Sequence, residues 1–350
     1  MKKTILIFVS LLIGICDIFA QSDTVKAIQF LVDNEAETFY NSGITNYNKK
    51  DYQAAVTDYD KAIGLRDNFD KVYYNRGAAK FELKDYKGAV ADYNKSIQLQ
   101  PNNDKAYFSR AQAKNAIGDK EGAIADYTLA IEKNLNYSQA YYYRASVKFE
   151  NKDYKAAIED YNKAIIIKPD YAYALNDRGS AKRQLEDYDG AISDYQKAVI
   201  VNPDLAFVYN NLGSVKRRKA DCKAAIEDYG KAIKIKYDYH IAYNNRGAAR
   251  YESGDYIGAI EDFDMAIKLQ PTYYYAYNNR ASAKYKMKNY NGAIDDCNEA
   301  IKLDPNYGFA YLNRGNVKEM LRDENGSCSD WKKAAELGVA AGKGYASECK

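Results

Sequence analysis

The 350-residue chain has a single histidine, a single tryptophan, five cysteines and five prolines. One histidine, His240, leaves little scope for imidazole-based catalysis or a zinc site, which commonly draw on several nitrogen or sulfur ligands. The cysteines form no CxxC pair, so neither a zinc ribbon nor a dithiol redox motif is expected. Glycines occur singly and build no phosphate-binding loop. No serine or cysteine stands in a recognisable nucleophile motif. Net charge is only +3, with 51 Lys and Arg interspersed among 48 Asp and Glu, so no field of one sign points to nucleic acid or to a membrane surface. The main apolar run, Ile5–Ile15, is too short to span a bilayer. These absences predict no enzyme, no cofactor and no metal.

What the chain does have is tyrosine, 36 of them, set at a fixed interval. The stretch Ala242–Pro271, AYNNRGAARYESGDYIGAIEDFDMAIKLQP, matches itself when moved 34 residues in either direction. The frame holds without insertion from Ala36 to Ala341, giving nine repeats that start at 36, 70, 104, 138, 172, 206, 240, 274 and 308. A period of this length marks a stacked array in which each repeat buries its face against its neighbours.

Within a repeat the spacing predicts two helices. In repeat seven, Tyr243, Gly247 and Arg250 (positions 4, 8 and 11) share one face of helix A. Ala259, Phe263 and Ala266 (positions 20, 24 and 27) share one face of helix B. Position 16 is Asp in eight repeats and Asn289 in the other, suited to capping helix B. Position 8 is always Gly or Ala, which lets the helices approach. All five prolines fall at position 32, where they end helix B and set the turn into the next repeat. Position 23 is Asp in every repeat, and position 7 is Arg in seven. Both lie on the seam between helices, so they are expected to pair. The partner of Arg246 is either Asp262 in its own repeat or Asp228 in the one before, and the basic residue at position 11 competes for the same carboxylates.

This pattern resembles the tetratricopeptide repeat (TPR) family. The resemblance rests on the aromatic at position 4, the small residue at 8, Asp-Tyr at 16 and 17, Ala at 20, the aromatic at 24, Ala at 27 and Pro at 32. It departs from the family at position 7, usually leucine there, and at position 11, often tyrosine. It implies an all-α right-handed solenoid of nine helix-turn-helix repeats, and a scaffold that binds a protein or an extended peptide. In the family the groove is lined by positions 2, 5, 6, 9, 12 and 13. Carried onto this chain, one half of the groove presents Tyr40, Tyr74, Phe108 and Tyr142 at position 5. The other half presents Asn176, Asn210, Asn244 and Asn278 at position 5 and Asn211, Asn245, Asn279 and Asn313 at position 6, with Arg183, Arg217 and Arg218 nearby. The position-6 row is similar to the asparagine ladder in the TPR part of the O-linked N-acetylglucosamine transferases. A carboxamide offers both a donor and an acceptor to the backbone of an extended chain. A purely architectural role and a nucleic-acid-reading array are the rival readings.

The ends differ from the repeats. Lys2 and Lys3, the apolar run and Ala20 read as a signal peptide over residues 1–20, which predicts an exported chain, periplasmic or secreted; Ile15 before Cys16 argues against lipidation. Residues 21–35 are expected to form a covering helix, capped by Ser22 or Asp23 and carrying the stripe Val25, Ile28, Leu31 and Val32. Residues 339–350 are expected to form a closing helix. Cys328 and Cys349 lie on either side of Gly338; if both segments are antiparallel helices, the thiols meet and form a disulfide. Cys222 and Cys297 are read as buried apolar fillers.

Overall fold

A computed structural model describes the chain in full over residues 24–349. The helix at the N-terminal end is traced from Lys2, with its side chains described from residue 24. The signal-peptide reading of residues 1–20 therefore lies outside the described residues. Nineteen helices and no strand are present among the described residues. The chain divides into two compact bodies, Met1–Lys168 and Pro169–Lys350. Repeats one to four fill the first, and repeats five to nine with the closing helix fill the second.

Repeat seven illustrates the build. Helix A is α13, His240–Glu252, and helix B is α14, Tyr256–Leu269. The Asp255 carboxylate accepts from the Gly258 N–H, satisfying one of the free donors at the start of α14. The same side-chain cap forms in every repeat: at Asp51, Asp85, Asp119, Asp153, Asp187, Asp221 and Asp323, and at Asn289 with Gly292. The turn between the two helices needs a left-handed residue at position 15. Glycine fills it at Gly118 and Gly254, but lysine, glutamate, alanine or arginine does so elsewhere, as at Lys288, Glu186, Ala220 and Arg322. Packing of the helix pair thus overrides a local preference that favours glycine.

The small residue at position 8 faces the ring at position 24. A Cβ placed on Gly247 would stand 2.7 Å from Phe263 Cε1, and one on Gly213 2.9 Å from Tyr229 Cε1. Those rings, with Tyr59, Tyr127, Tyr161 and Tyr195, are the largest fully buried side chains. Burial of such rings is worth a few kcal/mol each. The core is therefore a series of small clusters, one ring and several alanines per repeat, rather than one large interior.

The seam charges pair within the repeat. Arg246 Nε donates to Asp262 Oδ2 at 2.9 Å and Nη2 to Oδ1 at 2.7 Å. Arg250 at position 11 adds a contact at 3.0 Å to the same carboxylate. The two-pronged fork recurs at Arg76–Asp92, Arg110–Asp126, Arg144–Asp160, Arg178–Asp194, Arg280–Asp296 and Arg314–Asp330. In most of these the third nitrogen also reaches position 25 of the preceding helix B: Asp60, Asn94, Thr128, Asp264 and Asn298 accept from Nη1 at 2.5–2.8 Å. One guanidinium thus fastens a helix pair and ties it to its predecessor. Repeat six is the exception in the second body. Leu212 replaces its arginine, so Asp228 is left with Lys216 and Lys231. Gly230 at position 25 offers Arg246 no side-chain acceptor.

Two end features differ in outcome. The separate covering helix expected over residues 21–35 is corrected: α1 runs unbroken from Lys2 to Asn48, into helix A of repeat one. Nothing between residues 24 and 42 breaks a helix, because that stretch has neither proline nor glycine. Val25, Ile28 and Leu31 are exposed rather than laid over the first repeat. At the other end, α19 (Ala340–Ser347) packs against α18 (Glu324–Glu336), with Tyr345 stacked on Trp331 at 5.0 Å. Cys328 and Cys349 are bonded, with Cα atoms 5.7 Å apart.

Replacing Arg246 by leucine leaves a buried carboxylate short of its fork and is expected to destabilise the fold by about 3 kcal/mol. A double-mutant cycle in urea should find coupling with Asp262 and none with Asp228. Reducing the Cys328–Cys349 link, or replacing Cys328 by serine, is expected to cost about 3 kcal/mol for a loop of this length. Local hydrogen exchange in α18 and α19 should rise first; unchanged exchange there on reduction would contradict it.

Candidate functional site

The site lies in the second body, on the helix A faces of repeats six to nine. The relevant helices are α11 (Ala206–Arg218), α13, α15 (Tyr274–Lys286) and α17 (Gly308–Met320). Two adjoining hollows open on this face. One, of about 290 Å³, is lined by Arg217, Asn244, Asn245, Tyr251, Glu252, Asn279 and Ser282, among others. The other, of about 180 Å³, is lined by Tyr251, Ser282, Tyr285, Lys286, Asn313 and Asn316. Tyr251 and Ser282 border both. Polar side chains dominate the walls, so the hollows suit hydrogen-bonding groups better than a greasy ligand.

The asparagines are ordered by one another. Asn211 Nδ2 donates to Asn176 Oδ1 at 3.0 Å, Asn245 to Asn210 at 3.0 Å, Asn279 to Asn244 at 2.9 Å and Asn313 to Asn278 at 2.8 Å. Each bond joins position 6 of one repeat to position 5 of the repeat before. Position 5 therefore serves the row structurally, and Asn244 also lines the larger hollow. Asn176, Asn210, Asn244 and Asn278 are buried and act as acceptors that orient the row beside them. At position 6 the amides are only half-buried. Asn211, Asn245 and Asn279 use one N–H in the row and keep the other N–H and Oδ1 free of any protein partner among the described residues. Asn313 spends a second bond on Ser282 Oγ, at 3.1 Å.

The first body uses the same two positions differently. Tyr40, Tyr74, Phe108 and Tyr142 pack on the position-24 tyrosine of their own repeat, with ring centroids 6.2, 5.7, 5.6 and 5.9 Å apart. They form the wall of their face rather than free binding rings. Asn75 Nδ2 donates to the Tyr40 hydroxyl at 3.1 Å, and the Tyr74 and Ser109 hydroxyls are 3.3 Å apart. The link between positions 6 and 5 therefore survives a change of residue type.

Charge at the site sits at the C-terminal ends of the A helices. Arg217 lies 3.7 Å from Glu252, a loose pair. Arg183 is half-buried and Arg218 exposed, and no acidic side chain pairs with either among the described residues. Tyr251 and Tyr285 stay uncharged at neutral and mildly basic pH, because burial, aided by neighbouring tyrosines and at Tyr285 by the Glu319 carboxylate, pushes their hydroxyls above the usual phenol range. Cys222 is not the buried filler expected of it. As the first residue of its helix B it sits at the rim, with its thiol donating to Glu252 at 3.7 Å. Cys297 is fully buried, and its thiol is pushed up to about 12 by desolvation. His240 stands edge-on to Tyr273 at 5.0 Å. No group of three or more His, Cys, Asp or Glu is placed to hold a metal among the described residues. No helix among them is long and apolar enough to cross a membrane.

The fold and this face define a helix-pair repeat scaffold with a polar groove. The chain belongs to the tetratricopeptide repeat family: family models match residues 36–69, 70–103, 138–171, 179–219, 208–239, 240–273 and 274–307, well over half of the chain. The fold is also that of solved structures. A tetratricopeptide repeat protein from Parabacteroides merdae is 18% identical, with a TM-score of 0.58, covering 70% of this chain and 97% of its own. The C-terminal part of a TPR repeat-containing protein from Cytophaga hutchinsonii is also 18% identical, with a TM-score of 0.59, covering 69% of this chain and 98% of its own. No curated protein matches the chain. TPR folds are in general non-enzymatic protein-interaction scaffolds.

Burial raises the hydroxyls of Tyr251 and Tyr285, which line the two hollows, so both are expected to keep their protons between pH 7 and 9. Ligand affinity measured across that range by titration calorimetry should show no step from loss of a tyrosine proton, and a step that vanishes in a Tyr251→Phe, Tyr285→Phe variant would contradict this.

Proposed function

We propose that this protein is an exported TPR scaffold that holds an extended segment of a partner protein along the asparagine row of repeats six to nine, and catalyses no reaction itself. The observation that carries this reading is the row itself. Asn211, Asn245 and Asn279 are each held by a bond to the repeat before, and each keeps one N–H and its C=O free of any protein partner among the described residues. A fixed carboxamide of this kind matches the N–H and C=O of an extended backbone, and its ordering entropy is spent during folding rather than on binding. Backbone recognition makes the grip tolerant of partner sequence.

Export is supported by the basic, apolar and small-residue order of residues 1–20 and by the Cys328–Cys349 bond, which suits an oxidising compartment. Terminal sequencing of the mature chain should find its first residue near Gln21; a chain that retains Met1 would remove this part of the reading.

The groove is tested with the double variant Asn245→Ala, Asn279→Ala. Each substitution also removes a bond between repeats, so circular dichroism must first establish that the helices persist. A random peptide library is then panned against both proteins. The native protein is expected to enrich binders, and the variant to hold them about tenfold or more weaker, at about 0.5–1.5 kcal/mol for each lost bond. A folded variant that binds them equally well would exclude the asparagine row as the site.

A further inference from the structure

Position 2 of the repeat changes character along the chain. In repeats one to four it is Glu37, Lys71, Lys105 and Gln139. In repeats five to nine it is Tyr173, Phe207, Ile241, Tyr275 and Phe309. These are not core residues: Tyr173 is 49% exposed, Ile241 36%, Tyr275 41% and Phe309 53%. Four repeats of the same chain fold with a charged or amide side chain there, so the fold does not require an apolar one. A periodic row of exposed apolar side chains marks a contact surface. The rings also support each other. Tyr173 stacks on Phe207 at 5.9 Å, and Tyr307 bridges Tyr275 and Phe309 at 5.2 and 5.9 Å.

Position 2 lies one turn before position 6, so the row runs along the same helix faces as the asparagines. It forms one edge of the groove. The opposite edge, near the C-terminal ends of α9 (Ala172–Gln184) and α11, carries Arg183, Arg217 and Arg218, of which Arg183 and Arg218 have no acidic partner among the described residues. The groove thus has an apolar edge along repeats five to nine, an amide floor at repeats six to nine, and a basic edge confined to repeats five and six, with Glu252, Lys286 and Glu319 following in repeats seven to nine. An extended chain turns successive side chains to opposite sides. One side then meets the rings, and the other meets the arginines.

We propose that the partner segment is an extended stretch in which apolar and acidic side chains alternate, its apolar side seated on the row from Tyr173 to Phe309 and its acidic side facing Arg183, Arg217 and Arg218. This rests on the groove reading above and adds to it the chemistry of the partner. Complementary charge selects acidic over basic partners, and the ring row selects apolar over polar ones.

Three labelled peptides test it by fluorescence anisotropy: one alternating Glu and Val, one alternating Lys and Val, one alternating Glu and Ser. The Glu–Val peptide is expected to bind the native protein about tenfold or more tightly than either of the others, and the advantage over Lys–Val should shrink as salt is raised. The triple variant Phe207→Gln, Tyr275→Gln, Phe309→Gln places at each site a residue that Gln139 already tolerates. It is expected to fold as the native chain and to bind Glu–Val about tenfold or more weakly. The variant Arg183→Ser, Arg218→Ser is expected to lose the preference for Glu–Val over Lys–Val. No measurable binding of Glu–Val to the native protein, equal binding of Glu–Val and Glu–Ser, or an unchanged affinity in the folded ring variant would each overturn the proposal. So would a dimer in sedimentation velocity that the ring variant abolishes, because a second copy would then be what covers the row. If the asparagine double variant loses library peptides while the ring variant keeps them, the groove reading stands and this one fails.

Discussion

Every repeat carries an aspartate at position 23, eight of the nine buried, and the rest of the structure is arranged around keeping that charge satisfied. A carboxylate removed from water costs several kcal/mol unless it is met by donors of fixed geometry. Arginine at position 7 supplies two parallel bonds, and the basic residue at position 11 supplies a third contact. The guanidinium lies over the position-4 tyrosine of its own helix, at 5.4–5.6 Å in Arg76, Arg110, Arg144, Arg246, Arg280 and Arg314. Ring, fork and carboxylate therefore fix the crossing of helices A and B together. Hydrogen bonds specify one geometry where alanine contacts alone would tolerate several.

That arrangement explains why repeats differ freely on one face and hardly at all on the other. The seam fixes positions 4, 7, 8, 11, 20, 23 and 24, and leaves positions 2, 5, 6, 9, 12 and 13 available to vary. Position 5 shows the freedom. An aromatic packed on the position-24 ring serves in the first body, and a buried asparagine serves in the second. What is kept is a polar contact to the next repeat, made by Tyr40 with Asn75 in one body and by Asn210 with Asn245 in the other. Repeat six shows what happens when the seam itself is relaxed. With Leu212 in place of arginine, Lys231 moves toward Asp228 and the Tyr209 ring, and Gly230 offers Arg246 no side chain to grip. The tie to the preceding helix B that Arg280 and Arg314 make is missing at repeats six and seven.

The helix pairs and their caps were legible in the sequence because each depends on residues within one repeat and recurs nine times. The pairing of Arg246 was legible as a pair but not in direction, since Asp262 and Asp228 are equivalent in a periodic pattern, and only the geometry of the helix crossing separates them. The mutual bonding of the asparagine rows was not legible. Position 6 of one repeat bonds position 5 of the repeat before, so a bond between Asn245 and Asn210, 35 residues away, depends on how successive A helices rest together. The unbroken α1 was missed for a different reason. A stripe of Val25, Ile28 and Leu31 reads as a buried face whether or not anything stands opposite it.

The same reasoning separates fold from function at the groove. A residue that the fold needs should appear in every repeat, as Asp at position 23 does. A residue that recurs in only one body, and is exposed there, answers to something other than the helix pair. The rings at position 2 meet that description; asparagine at position 6 is half-buried in the second body and also occurs in the first, at Asn41 and Asn75, and the two rows differ in what holds them. The asparagines are oriented by buried acceptors in the repeat before, so their free N–H and C=O groups are presented at fixed points and suit directional bonds. The position-2 rings Tyr173, Phe207, Tyr275 and Phe309 pack on other rings, and suit contacts whose strength follows area rather than angle. A surface that pairs a directional floor with a non-directional edge discriminates by backbone conformation first and by side-chain character second. That order is what the proposed groove would impose on a bound segment.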